Sequence, residues 1–180
     1  TGMGLERTNC ILQGKTSVYL TEVFQPIIKT IEELSNYTYG KKKKKDKSVR
    51  IIADHSRSSV FILGDQRGVT PDRVGAGYVL RRLIRRAVRH GMKLGIEESF
   101  LAKIAETVVA NFKIAYPELE QNSEKIYKEL TAEEEKFRKT LLKGEAEFQK
   151  LLPNLMKNPK KIISGKVAYN LYETYGFPLE

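Results

Sequence analysis

Residues 78–90 constrain the fold more than any other stretch, because they consist mainly of arginines and apolar residues that separate onto two sides of a helix. On a helix of about 100° per residue, with Arg81 at zero, the arginines fall between roughly 0° and 140°. Apolar residues such as Leu80 and Ile84 fall on the opposite side, between roughly 200° and 340°. The pattern predicts a helix with a buried apolar face and a purely positive face. Its arginines are Arg81, Arg82, Arg85, Arg86 and Arg89.

A helix face made only of arginines indicates an anionic partner outside the helix. Like charges four residues apart slightly destabilise a helix, so an ordinary solvated face usually mixes both signs. The planar guanidinium group matches phosphate oxygens, which favours a nucleic-acid backbone as the partner. The alternative is a basic surface whose arginines pair with carboxylates elsewhere in the chain.

The net charge of +10 comes from two segments of equal charge. Residues 41–45 are all lysines and contribute +5, and residues 81–90 contribute another +5. The charges in the rest of the 180-residue chain sum to zero. A run of lysines beside Gly40 is typical of an exposed or disordered loop. For residues 41–45 we favour a solvated linker over a specific RNA contact.

Composition excludes several classes of protein. A hydrophobic content of 41% is enough for a core, no apolar run is long enough to cross a bilayer, and the first residues do not resemble a signal peptide. Cys10 is the only cysteine, which excludes a disulfide framework, and with only His55 and His90 beside it we expect no zinc site. The absence of disulfides agrees with a reducing compartment, so we predict a cytoplasmic protein.

Helical periodicity covers most of the chain and predicts an all-α fold. Gly91 or Gly95 is expected to end the arginine helix, and Pro153 and Pro159 to end a long heptad-patterned helix. Ser164 is expected to begin a last short helix. Pro26 is expected to kink its helix or mark the first turn. The long helix is expected over residues 117–152. The other predicted helices cover residues 5–13, 21–34, 48–63 and 96–115.

The first residues have the pattern Gly2-x-Gly4-x-x-Arg7 before a helix. It lacks the third glycine of a dinucleotide fingerprint and the lysine of a P-loop, so the pattern alone is weak. Glycines allow a ligand to approach the backbone closely, and an arginine one turn later can bind a phosphate or a nucleotide ring. The alternative is a glycine turn followed by a surface arginine.

Five motifs along the chain together resemble one enzyme family. Gly-Met-Gly-Leu-Glu-Arg at residues 2–7 is similar to motif 3 of class II aminoacyl-tRNA synthetases. In their order and spacing, the five motifs resemble the alanyl-tRNA synthetase family from residue 1 to residue 180. The other four are Ile-Ala-Asp-His at 52–55, Gly-Tyr-Val-Leu-Arg-Arg at 77–82, Arg-Arg-Ala-Val-Arg-His-Gly at 85–91 and Leu-Tyr-Glu-Thr-Tyr-Gly-Phe-Pro at 171–178.

The resemblance implies a division into two parts. Residues 1–45 would be the end of a class II catalytic domain, with the motif 3 strand and helix of an antiparallel sheet followed by a basic linker. Residues 46–180 would be a helical domain that recognises the tRNA acceptor stem. The parent enzyme would activate alanine with ATP and Mg²⁺ and transfer it to tRNA(Ala). In that reaction Gly2 and Gly4 would line the adenine pocket, and Arg7 would contact ATP.

Motifs 1 and 2 of the class are expected to precede residue 1. We therefore predict that residues 1–180 alone form no alanyl-adenylate and hold no tightly bound cofactor. The resemblance also implies that the five arginines bind phosphates of the acceptor stem.

Two positions depart from the family in the residues that read the acceptor stem. The family's asparagine and aspartate correspond here to Arg73 and Glu173. Glu173 keeps the carboxylate on a longer side chain, whereas Arg73 replaces an amide with a group that only donates. We expect both to contact the stem. The alternatives are that they pair with each other, or that the domain recognises a wobble base pair at a different place in the stem.

Other functions are also compatible with these residues. One is a non-catalytic helical RNA-binding module. Another is a freestanding editing protein, which would need a zinc-binding set of histidines and cysteines that this chain lacks. For Asp54 and His55 we predict a surface hydrogen bond rather than a catalytic pair. We expect Glu6 to position its neighbours.

Overall fold

A computed structural model describes residues 2–157 and 162–175, except for the side chains of Asn154 and Glu173. The described residues contain helices and no strand, which confirms the all-α prediction. The chain divides into two compact units, residues 1–134 and 135–180. The helices are α1 Leu5–Leu12, a 3₁₀ turn Val18–Leu20, α2 Gln25–Ser35, α3 Lys43–Gly64, α4 Gly75–Leu94, α5 Leu101–Phe112, α6 Pro117–Gln121, α7 Ser123–Lys157 and α8 Gly165–Tyr175.

The core of the first unit is an antiparallel pair formed by α3 and α4. The direction follows from two contacts, since Ser48 bonds His90 at 2.9 Å and His55 lies 3.4 Å from Arg86. Burying one large aliphatic side chain stabilises a fold by about 1.5–3 kcal/mol, so the facing stripes hold the pair together. The buried stripes are Val49, Ile52, Ala53, Val60 and Leu63 on α3, and Leu80, Ile84, Ala87 and Val88 on α4.

Two glycines of α4 allow other parts of the chain to pack closely against this helix. A Cβ atom at Gly91 would lie 2.4 Å from the ring of Phe100, and one at Gly77 would lie 2.5 Å from the carbonyl oxygen of Thr70. Gly95 ends α4 in the left-handed conformation at φ 94°, which confirms one of the two predicted ends.

A buried carboxylate caps the start of α5. Glu134 is fully buried and accepts hydrogen bonds from the backbone N–H of Phe100, at 3.2 and 3.1 Å, and of Leu101, at 2.9 Å. A carboxylate stabilises a helix N-terminus because it satisfies free N–H groups and complements the helix dipole.

The second unit contains the rest of α7 and helix α8. Ser164 caps α8, because its Oγ lies 3.4 Å from the backbone N–H of Val167, as predicted. The expected end at Pro153 is wrong, since α7 passes through this residue and continues to Lys157. Pro159, the second expected end, lies outside the described residues. Phe137, Leu141 and Leu171 are buried.

Three further expectations change in detail. Lys43 begins α3, so the lysine segment (residues 41–45) is partly helical and not a loop, although residues 41–44 are exposed as predicted. The predicted helix over 117–152 is interrupted near Asn122, between α6 and α7. Residues 2–4 precede α1 without forming a strand. A strand requires a paired neighbour, and the described residues provide none.

Candidate nucleic-acid interface

The arginine face (Arg81, Arg82, Arg85, Arg86 and Arg89) lies on the side of α4 opposite its buried stripe. Arg82 and Arg86 are exposed, and the other three side chains are half-buried. Leu80 and Ile84 are at most 1% exposed, which confirms the predicted division of the helix into two faces. The charge therefore stands on a rigid, well-packed element.

Tyr78 organises the start of this face. The guanidinium carbons of Arg81 and Arg82 lie 5.5 and 5.7 Å from the centre of its ring, within the range of cation–π attraction. Neither arginine forms an ion pair with a carboxylate in residues 2–157 or 162–175. Their N–H groups are consequently suited to an external acceptor.

Arg85 has an internal partner. Its Nε donates to Oε1 of Glu133 at 2.6 Å, and the Glu133 side chain is only 7% exposed. For this arginine, pairing with the protein's own carboxylate, the alternative considered above, is the observed arrangement.

Arg86 joins a polar chain that extends across α3. Its Nη1 lies 3.4 Å from Nε2 of His55, and Nδ1 of His55 lies 3.0 Å from Oδ2 of Asp54. The hydrogen bond with His55, together with the nearby charges of Arg57 and Arg86, lowers the pKa of Asp54. The predicted Asp54–His55 hydrogen bond is confirmed, although the His55 side chain is 11% exposed and not on the open surface.

Arg57 connects the same part of α3 to α1. Its Nη2 donates to Oε1 of Glu6 at 2.7 Å, and its guanidinium carbon lies 4.4 Å from the centre of the Phe24 ring. Backbone hydrogen bonding and then Arg57 lower the pKa of Glu6. Glu6 is therefore paired with Arg57, and its expected positioning role stays a prediction.

Arg73 is exposed on the loop that leads into α4. Its backbone N–H donates to Oδ1 of Asp72 at 2.6 Å, and the loop crosses α4 at Gly77, where a Cβ would approach the backbone nitrogen of Asp72 to 2.9 Å. The Glu173 side chain lies outside the described part of the structure, so the expected pairing of Arg73 with Glu173 stays a prediction.

The predicted nucleotide residues lie at the start of α1. Gly4 precedes the helix at φ 82°, a conformation that favours glycine, and a Cβ there would lie 3.0 Å from Nε of Arg7. The exposed Arg7 side chain therefore folds over Gly4. Gly2 has open space around it. The roles predicted for Gly2, Gly4 and Arg7 in nucleotide binding stay predictions.

The described residues contain neither a cluster of metal-binding side chains nor a helix suited to cross a membrane. In residues 2–157 and 162–175, no group of three or more His, Cys, Asp or Glu side chains could hold a metal ion. None of the helices described there has the length and apolar composition needed to cross a membrane.

Sequence reasoning missed several of these contacts. The i,i+3 spacing of Tyr78 and Arg81 is a signal that could have revealed the cation–π contact. Glu133 lies 48 residues from Arg85, and no local pattern connects them.

Comparisons with known proteins identify the family of the chain. The family profile described as tRNA synthetases class II (A) matches residues 1–180. The chain therefore belongs to the class II tRNA synthetase family.

Individual relatives indicate which member of the class II synthetase family the chain resembles. The chain is 63% identical over all of its 180 residues to an alanine–tRNA ligase of Treponema denticola, and 51% identical to one of Treponema pallidum. It is 53% identical to an alanine–tRNA ligase of Borreliella burgdorferi. These findings confirm the resemblance to alanyl-tRNA synthetases. The chain spans about 30% of the length of these relatives.

Proposed function

We propose that this chain is part of an alanine–tRNA ligase, in which α4 binds the acceptor stem of tRNA(Ala). The observation that carries the proposal is the exposed arginine face on α4, in a chain whose relatives are named alanine–tRNA ligases. The parent enzyme would join alanine to tRNA(Ala) with ATP and Mg²⁺.

The proposed RNA contact rests on the position of the arginines on one face of α4. Arg81, Arg82 and Arg86 present guanidinium groups on one side of a helix whose other side is buried. An A-form stem displays phosphates and 2′-hydroxyls across a shallow minor groove, and a rigid basic helix suits such a surface. Arg85 and Arg89 are also proposed to contact phosphates of the stem, and Arg85 keeps its ion pair with Glu133.

Base-pair recognition is proposed for Arg73 and Glu173. Arg73 supports this role because it is exposed on the loop directly before the arginine face. As a donor-only group, Arg73 would approach acceptor atoms of the bases or sugars, whereas Glu173 would accept.

A nucleotide role is proposed for Gly2, Gly4 and Arg7. Gly2 has open space for a ring against the backbone, and the Arg7 guanidinium, which lies over Gly4, would bind the negative charge of ATP. Apolar residues exposed on and beside α1 also suit packing against a catalytic domain; they are Met3, Leu5, Ile11 and Leu12. No Mg²⁺ ligands are assigned to this chain.

Salt dependence tests the RNA contact. We expect the logarithm of the tRNA(Ala) binding constant to fall with the logarithm of salt concentration by about 0.9 per phosphate contact. Arg82→Gln should reduce this slope by about one. The matched control is Lys103→Gln, because Lys103 pairs with Glu106 on α5 at 2.6 Å. Equal slopes for the two variants would contradict the proposal.

Three related expectations belong to the same proposal. We propose that residues 1–180 alone do not catalyse ATP–pyrophosphate exchange, and detectable exchange would contradict this. The parent enzyme is proposed to be cytoplasmic, and its catalytic and tRNA-binding domains to meet near residue 45.

A further inference from the structure

The contact between Arg86 and His55 defines a chemical state for the imidazole ring. An arginine N–H can only donate, so Nε2 of His55, 3.4 Å from Nη1 of Arg86, must be the acceptor. The proton of the neutral ring is then on Nδ1, which lies 3.0 Å from Oδ2 of Asp54. This direction of hydrogen bonding assigns the Nδ1–H tautomer to His55.

Asp54 stabilises that tautomer. Its carboxylate accepts from Nδ1–H, and the positive charges of Arg57 and Arg86 favour its ionised form. The His55 side chain is 11% exposed and the Asp54 side chain is 44% exposed, so the pair runs from the edge of the core to the surface. A carboxylate that fixes an imidazole in this way leaves one lone pair at a defined position.

Arg86 differs from the neighbouring arginines in how it is oriented. Arg81 and Arg82 contact the ring of Tyr78, and Arg85 donates to Glu133. Arg86 is exposed, and its observed polar contact is with Nε2 of His55. A hydrogen bond to an imidazole nitrogen orients the guanidinium group without a direct ion pair to a carboxylate.

We propose that His55 is a positioning residue for RNA binding: fixed by Asp54 as the Nδ1–H tautomer, it orients Arg86 toward a phosphate of the acceptor stem. The inference rests on the proposed function. It adds α3 to the interface, because the orientation of an exposed arginine on α4 depends on two residues of the neighbouring helix.

Three variants test the proposal in binding experiments with an RNA hairpin that reproduces the tRNA(Ala) acceptor stem. His55→Leu removes the acceptor and should weaken binding about fivefold, the value of one modest hydrogen bond. His55→Gln offers a side-chain carbonyl to Arg86 and should retain most of the affinity. Asp54→Ala alters only a partly exposed position and should also weaken binding, because it allows the Nε2–H tautomer that opposes the arginine donor.

Each variant is repeated in an Arg86→Ala background. If His55 acts through Arg86, His55→Leu and Asp54→Ala should have no further effect there. Nitrogen NMR shifts should identify His55 as the Nδ1–H tautomer in the unsubstituted chain. An undiminished effect in the Arg86→Ala background, an Nε2–H tautomer, or no rescue by glutamine would each overturn the inference.

The same experiment separates this inference from the proposed function. If Arg82→Gln weakens binding but the His55 and Asp54 variants do not, only the inference fails. If Arg82→Gln and Arg86→Ala both leave the affinity unchanged, the proposed RNA face itself fails. Should His55→Leu not fold, Asp54→Ala with the tautomer measurement decides the question.

Discussion

The lysine segment (residues 41–45) and the arginine face of α4 carry the same formal charge on different supports. The lysines lie at the start of α3, and residues 41–44 are exposed. Cations are unfavourable at a helix N-terminus, so α3 begins in spite of them. The arginines stand on a helix whose other face is buried, and several are oriented by side chains of the protein. Equal charge therefore corresponds to a diffuse field in one region and an ordered surface in the other.

The ordering of the lysine segment depends on one tyrosine. The hydroxyl of Tyr37 accepts from the backbone N–H of Lys42 at 2.7 Å and lies 2.8 Å from Oδ1 of Asp46. Nζ of Lys45 lies 5.1 Å from the centre of the Tyr37 ring. These contacts fix the backbone at Lys42 and place the side chain of Lys45 against the ring, whereas residues 41–44 are exposed.

The largest expected effect is on stability and concerns Arg85. Arg85→Ala leaves the carboxylate of Glu133 buried without its cation, so we expect a loss of about 3 kcal/mol in the free energy of unfolding. Urea denaturation measures this loss. Arg82→Ala, at an exposed position, should change stability by less than about 0.5 kcal/mol. Similar losses for both would remove the distinction between internal and outward arginines.

The packing behind the arginine face is tested at Gly77. In Gly77→Ala the new Cβ would meet the carbonyl oxygen of Thr70, 2.5 Å away, which the loop can relieve only by moving. We expect a loss of about 2 kcal/mol, measured by thermal unfolding. Gly165→Ala is the control, because no atom lies within 4 Å of its Cβ position. A stable Gly77→Ala variant would show that the loop is not anchored to α4.

A charge-matched pair of double variants compares the two regions directly. Arg81→Gln with Arg82→Gln should lower the salt slope of RNA binding by about two and the affinity about tenfold. Lys43→Gln with Lys44→Gln removes the same charge and should lower the affinity less than about threefold. Fluorescence titration at several salt concentrations distinguishes the two. Equal losses would mean that only total charge matters.

The smallest effect is expected at Tyr37. Tyr37→Phe removes the hydroxyl and should cost about 1 kcal/mol of stability, measured by urea denaturation. RNA affinity should remain unchanged, because ordering the lysine segment is not required for a diffuse field. A clear loss of RNA affinity would instead make the lysine segment part of the ordered surface. Tyr116→Phe is the control, because Tyr116 is 41% exposed.

Local chemistry in the sequence predicted most of the fold. Periodicity identified the two faces of α4 and the buried stripe of α3, because a 3.6-residue repeat reports burial directly. It failed at the lysine segment, where the contacts of Tyr37 with Lys42 and Asp46 override the unfavourable charge. It also failed at Pro153, which α7 accommodates inside the helix.

The candidate site was predictable as a surface but not as a set of contacts. The arginine pattern predicted which side of α4 carries charge. It did not reveal that Arg85 pairs with Glu133 or that Arg86 meets His55, because these partners come from distant positions in the chain. Side chains on separate helices meet only after the helices pack, and that packing depends on all the buried residues together.

The missing side chain at Gly91 limits how this helix can be re-engineered. Phe100 occupies the space that a Cβ at position 91 would need, on the side of α4 away from the arginines. A designer who transplants the charged surface to another scaffold must therefore carry the glycine and the aromatic ring with it. The exposed positions 82 and 86 can be substituted to bind other anions without repacking of the core.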